Sequence, residues 1–149
     1  MILRQAVFAD LDAATLYALL RLRSEVFVVE QNCVYRDLDG RDLEPDTLHM
    51  WLADGETPVA YLRVVRNPDG AARIGRVATD AHHRGAGHAA RLMDAAVATL
   101  APDTVAVLEA QVYAKRLYER SGFVSDGETY LEDGIEHIHM RRAPVKEGS

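Results

Sequence analysis

Apolar and polar residues along this chain change period several times, and each change marks an element. Ile2 to Phe8 alternates as a half-buried strand does, and Asp10 or Asp12 stands where it can cap a following helix. Leu16, Leu19, Leu20, Val26 and Phe27 share one helical face, whereas Glu30 to Asp46 has no period and reads as an acidic loop. His49–Ala53 and Pro58–Val65 return to strand patterning, joined at Asp54-Gly55. The tetrapeptide NPDG, residues 67–70, makes the next turn, because proline presets φ and glycine accepts a positive φ. Ala72–Thr79 is a third strand, and Gly75 inside it predicts a bulge. The stripe Ala89, Leu92, Met93, Ala96, Val97 and Leu100 predicts a helix. Val105–Leu108 is a continuous apolar run, as a central strand buried on both faces requires. Tyr113–Arg120 reads as a helix with Gly122 as its C-cap, and Phe123–Tyr130 and His137–Met140 as strands separated by Glu132-Asp133-Gly134.

This order predicts an α/β (α+β) fold with one mixed, mostly antiparallel sheet flanked by helices. The 149 residues suit one domain, placed at residues 1–143, with 144–149 as a mobile tail. A net charge of −6 disfavours non-specific nucleic-acid binding. Cys33 is the single cysteine, no apolar run approaches a membrane span, and the first residues do not resemble a signal peptide. The expectation is a cytoplasmic protein without nucleic-acid or membrane partners. An apolar C-terminal strand pair would suit a homodimer.

The candidate chemistry concentrates in VATDAHHRGAGHAARLM, Val77 to Met93. His82, His83 and His88 suggest a metal, but no cysteine is nearby, the HExxH spacing is absent, and adjacent His82 and His83 point apart; no metal is expected. Gly85, Gly87 and Ala90 match G-x-G-x-x-A, with Glu109 about twenty residues on, as in a dinucleotide fingerprint. Against that reading, Asp80–Arg84 separates the strand from the first glycine. The third reading is a phosphate cradle. Arg84-Gly85-Ala86-Gly87-His88-Ala89 would bring a cation, close backbone approach and the free N–H groups of a helix N-terminus to one anion. A glycine-rich turn opening a helix for structural reasons alone stands beside it.

Arg84-x-x-Gly87-x-Ala89 resembles the R/Q-x-x-G-x-G/A signature of the GNAT N-acetyltransferase superfamily, and AKRLYERSGF, Ala114–Phe123, resembles its A-x-x-L-Y-E-x-x-G-F segment. RSEVFVVEQNCVYRDLDGRD, Arg23–Asp42, and EDGIEHIHM, Glu132–Met140, are similar to the ElaA-like branch. Four positions depart from the pattern. Gln111 replaces a common asparagine, Glu136 a common proline, and His82 and His83 fall where proline, acidic and tyrosine types are common.

The resemblance implies an acetyl-CoA-dependent N-acetyltransferase with strands splayed at the cofactor. Val77, Ala78 and Thr79 would pair with the pantetheine arm, and Arg84, Gly85, Ala86, Gly87, His88 and Ala89 would hold the pyrophosphate. Gln111 and Ala114 would line the cofactor, the Val77 N–H would face the oxyanion, and Tyr118 would protonate the leaving thiolate. The acceptor would be a small-molecule or peptide amine. A non-catalytic acetyl-CoA-binding domain would keep the cradle without needing Tyr118, and a nicotinamide-dependent oxidoreductase would use the glycines differently.

Residues for the acceptor side are less defined. The strand before the cradle carries no carboxylate, so His49, His137, Glu109 and Glu30 are the candidate bases. Glu30, Asp37, Asp39, Asp42, Glu44 and Asp46 suggest an acidic rim for a cationic acceptor, or a solvated loop. Arg23 interrupts an apolar helical stripe, so it needs a carboxylate partner or lines the acceptor pocket. Cys33 is expected to be structural or pocket-lining, since nothing around it in sequence would activate it.

Overall fold

The structure is a computed structural model and describes residues 1–33 and 35–144. Residues 145–149 of the expected tail lie outside the described residues. Strand β1 (Ile2–Val7) leads to α1 (Ala13–Arg23), where the Thr15 N–H donates to Asp12 Oδ1 at 2.7 Å and so satisfies one open helix-end donor. The helix does not stop at Arg23 but widens into a π-helical segment, Ser24–Glu30. Leu19, Leu22, Val26 and Phe27 form its buried face, with Leu20 only half-buried.

Strands β2 (Leu48–Asp54), β3 (Thr57–Arg66) and β4 (Ala72–Thr79) form an antiparallel meander, with β1 paired to β2. Helix α2 (His88–Ala98) crosses to β5 (Ala106–Gln111), which runs parallel to β4. Helix α3 (Lys115–Glu119) is shorter than its sequence pattern, because Val112–Ala114 forms a separate 3-10 turn. Gly122, at φ +92°, ends it: the Gly122 N–H donates to the Glu119 carbonyl at 3.0 Å and the Phe123 N–H to that of Tyr118 at 3.2 Å. The strand expected over Phe123–Tyr130 is broken into β6 (Val124–Ser125) and β7 (Tyr130–Glu132), with Gly127 at φ +116° between them. Asp133 and Gly134, at φ +52° and +75°, make the two-residue turn that matches strand twist, and it sets Tyr130 opposite His137 on β8 (Ile135–Arg142).

The sheet order is β1-β2-β3-β4-β5-β8-β6, with β7 also on β8. Both faces are covered, which explains the nearly unbroken burial of β2 and β3. On one face α2 and α3 pack Leu92, Met93 and Tyr118 against Met50, Leu62, Ile74, Leu108 and Phe123. On the other, α1 and the π-helical segment cover Trp51, Tyr61 and Ala78.

Two irregularities open the sheet. Strands β4 and β5 pair only at Ala72–Ala106 and Arg73–Val107, then part. Strand β4 also carries an extra residue between Gly75, which pairs with Arg63, and Ala78, which pairs with Tyr61. The bulge expected at Gly75 therefore falls one residue later, on Arg76 at φ +55°. A non-glycine residue there costs about 1–2 kcal/mol, and ion pairs hold it: Arg76 Nε lies 2.8 Å from Asp37 Oδ1.

Candidate active site

The opening between β4 and β5 is a cavity of about 590 Å³ that reaches both faces of the sheet. Val77, Thr79, Arg84, Ala89, Ala114 and Tyr118 line it toward α2 and α3, and Ala78 lines it from the face covered by α1. Glu30, Gln31, Cys33, Tyr35, Glu132, Asp133 and His137 line it toward the π-helical segment and the β7–β8 turn. The Gln111 amide donates to Gln31 Oε1 at 3.1 Å and ties the end of β5 to that second wall.

The glycine loop has the geometry of an anion site. Gly85 and Gly87 sit at φ +82° and +79°, and a Cβ at either would meet nothing within 4 Å. Packing therefore does not demand glycine; the left-handed backbone does, and the space over the loop is open. Gly87 caps α2 without any side-chain hydrogen bond, so the first-turn N–H groups remain available to an external acceptor. Arg84 donates to the Thr79 carbonyl from Nε at 3.2 Å and from Nη2 at 3.0 Å, and grips Glu30 with both terminal nitrogens, Nη2–Oε1 being 2.5 Å. Hydrogen bonding from Arg84 holds the Glu30 carboxyl below its usual range. These residues fit a pyrophosphate: it would take the open N–H groups and draw Arg84 from a solvent-exposed partner.

The histidines before the loop are held by Asp80 and do not line the cavity. Asp80 Oδ2 accepts from the His82 N–H at 3.0 Å and lies 2.9 Å from His83 Nδ1. The dinucleotide reading fails at Glu109, whose carboxylate accepts from the Tyr130 hydroxyl at 2.7 Å and lies 2.5 Å from His139 Nδ1 and 3.2 Å from Arg73 Nη1.

Tyr118 is 8% exposed, and its hydroxyl makes no hydrogen bond among the described residues. Burial, reinforced by Tyr113, pushes the phenol up to about 12, so it keeps its proton at neutral pH. Cys33 lines the cavity as a thiol: burial and then the carboxylates of Asp133, Glu132 and Asp37 push it upward.

Two expected acceptor residues do not reach the cavity. Arg23, 1% exposed, donates to Asp42 Oδ1 at 2.9 Å and to Asp37 Oδ2 at 3.2 Å. His49, also 1% exposed, donates from Nε2 to the Asp42 carbonyl at 3.1 Å, so its Nδ1 accepts from the Tyr61 hydroxyl at 2.6 Å. Burial lowers its pKa and keeps it neutral. The acidic rim is also corrected. Arg63 binds Asp39 at 2.6 Å and Asp42 at 2.9 Å, so with Arg23 and Arg76 it neutralises Asp37, Asp39 and Asp42 internally. Glu44 pairs with Arg41 at 3.1 Å.

Sequence reasoning missed Tyr130, Glu132, Asp133 and Arg76. The first three were reachable through Asp133-Gly134, since a two-residue turn fixes which residues face across the hairpin. Arg76 carries no sequence signal, because its conformation is set by the register of β3 against β4.

Comparison with known proteins agrees with this geometry. Residues 13–144 match the model of the Acetyltransferase (GNAT) domain. A UPF0039 protein of Mycobacterium tuberculosis is 47% identical over 94% of this chain and 92% of its own. Protein ElaA of Escherichia coli is 39% identical over 93% of this chain and 94% of its own, and its crystal structure superposes with a TM-score of 0.89, covering 95% and 98% of the two chains at 38% identity. An acyl-CoA N-acyltransferase structure from Pseudomonas aeruginosa superposes with a TM-score of 0.88 at 44% identity, covering 96% of this chain and 100% of that one. With the split sheet and glycine cradle already in evidence, these matches place the chain in the GNAT acyltransferase family, among the relatives of ElaA.

Proposed function

We propose that this protein transfers an acetyl group from acetyl-CoA to a primary amine. The observation that carries the reading is the β4–β5 opening, which joins an uncapped glycine cradle to a second wall across the sheet. The Arg84–Ala89 loop holds the pyrophosphate, and the parted edge of β4 at Val77–Thr79 offers backbone groups to the pantetheine amides. Val77 falls in the bulge, outside the paired register, and its N–H serves the carbonyl oxygen as negative charge develops. Tyr118 gives its proton to the departing sulfur. The amine enters from the wall of Glu30, Cys33 and His137.

The experiment is Tyr118→Phe, assayed by thiol release and by acetyl-CoA titration. The expected result is a roughly hundredfold loss of kcat with cofactor affinity unchanged, because a positioned proton donor contributes about 10²–10⁴-fold. Full activity would remove Tyr118 from the mechanism.

A further inference from the structure

Four residues could take the proton that an ammonium must lose before attack, and three are poorly suited to it. Both ring nitrogens of His49 are bonded behind the sheet. Glu30 is a surface carboxylate, its side chain 40% exposed, and once a phosphate draws Arg84 away it is still a weaker base than an imidazole. Glu109 is surrounded by Tyr130, His139 and Arg73. The fourth, His137, lines the cavity. Its Nδ1 lies 2.8 Å from the Ile135 carbonyl, which only accepts, so the proton sits on Nδ1, and the lone pair of Nε2 meets no partner among the described residues. The ring is held from a second side, stacked on Tyr130 at 5.7 Å between centroids with 24° between planes. Tyr130 is itself pinned through its hydroxyl to Glu109 at 2.7 Å. Glu109 is thus a positioning residue for the stack.

The charges beside His137 fit a cationic acceptor. Arg63, Arg73, Arg76 and Arg84 all line the cavity, and each is paired with a carboxylate. Glu132 and Asp133 line it too, and neither makes an ion pair among the described residues. The same cavity is lined by Tyr118, a residue 8% exposed whose hydroxyl makes no hydrogen bond among the described residues.

We propose that Nε2 of His137 accepts the first proton from an acceptor that arrives as a primary ammonium, drawn in by Glu132 and Asp133. This rests on the N-acyltransferase reading. The ammonium gives one proton to Nε2, and its nitrogen then bonds to the thioester carbonyl carbon as the carbon–sulfur bond breaks. The sulfur takes a proton from Tyr118, and the second proton shed by nitrogen restores the phenol. Thioester and ammonium become amide and thiol, and His137 releases one proton to solvent.

The test has two arms on the full chain. Long-range proton–nitrogen NMR of the histidine rings should show His137 with a protonated Nδ1 and a bare Nε2; a protonated Nε2 overturns the proposal whatever the acceptor. In the second arm, spermidine, tyramine and glycinamide are the probe amines, with wild type and His137→Ala compared. For any amine that wild type acetylates, the variant should lose about a hundredfold in kcat/KM, keep its acetyl-CoA affinity and urea midpoint, and recover with added imidazole. Unchanged kcat/KM overturns the proposal and spares the acyltransferase reading. Failure of wild type to bind acetyl-CoA overturns that reading and the proposal with it.

Discussion

Two groups of arginine and carboxylate flank the β4–β5 opening and differ in one respect that decides their roles. Arg23 and Arg63 meet Asp37, Asp39 and Asp42 in the interior, where the arginine side chains are 1% and 5% exposed. Arg84 and Glu30 meet at the surface, with side chains 43% and 40% exposed. A buried ion has no substitute partner, because water cannot reach it and removing its counter-charge leaves a desolvated charge. An exposed pair is screened and exchangeable, so Arg84 is able to leave Glu30 for a phosphate at small cost. The interior group is architecture: it clamps the chain around residues 37–42 to the bulged strand. On the proposed reading, the surface pair is the one that a phosphate would open.

The largest effect should come from breaking the interior group. Arg23→Ala is expected to cost about 3–5 kcal/mol in urea unfolding, while the remaining folded protein binds acetyl-CoA as wild type does. A stability loss under about 1 kcal/mol would place Arg23 in the exposed class.

The same contrast has a pH signature. Burial pushes the Asp42 carboxyl up, but Arg23 and Arg63 outweigh it and hold the folded value below the ordinary one. Such a group contributes stability above its unfolded value near ~3.9, and that contribution is lost as pH falls through the folded value. The urea midpoint should therefore decline as pH drops below about 4, and Arg63→Ala should flatten the decline. An unchanged slope in the variant would detach the network from acid stability.

Arg84→Ala should do the reverse of Arg23→Ala. It should change stability by less than about 1 kcal/mol yet weaken acetyl-CoA binding roughly tenfold, with a shallower salt dependence, since a charged hydrogen bond contributes about 1.5–3 kcal/mol. The smallest effect belongs to Glu30→Gln, which removes the competitor for Arg84 and should tighten acetyl-CoA by roughly two- to fivefold. Weaker binding in that variant would make Glu30 a support of the cradle instead.

Much of this was legible in local pattern. The meander, the crossover helix, the β5 run, the Gly122 cap and the cradle glycines each depend on neighbours within a few residues. What escaped depends on contacts distant in the chain. Asp37, Asp39 and Asp42 read as a free acidic loop until the sheet brings Arg63 and Arg76 beneath them. Gly75, the residue with the freest backbone, predicts a bulge in this strand, but register against β3 assigns it to Arg76. His49 and His137 look equivalent as strand histidines; only their partners show that one is enclosed on both nitrogens and the other open on one.

The most direct test of the central claim is calorimetric titration of the purified protein with acetyl-CoA, using NAD as the control ligand. Binding of acetyl-CoA at one site per chain, with no heat from NAD, is the predicted result. Heat from NAD alone, or from neither ligand, would contradict the assignment of the β4–β5 opening as an acetyl-CoA site.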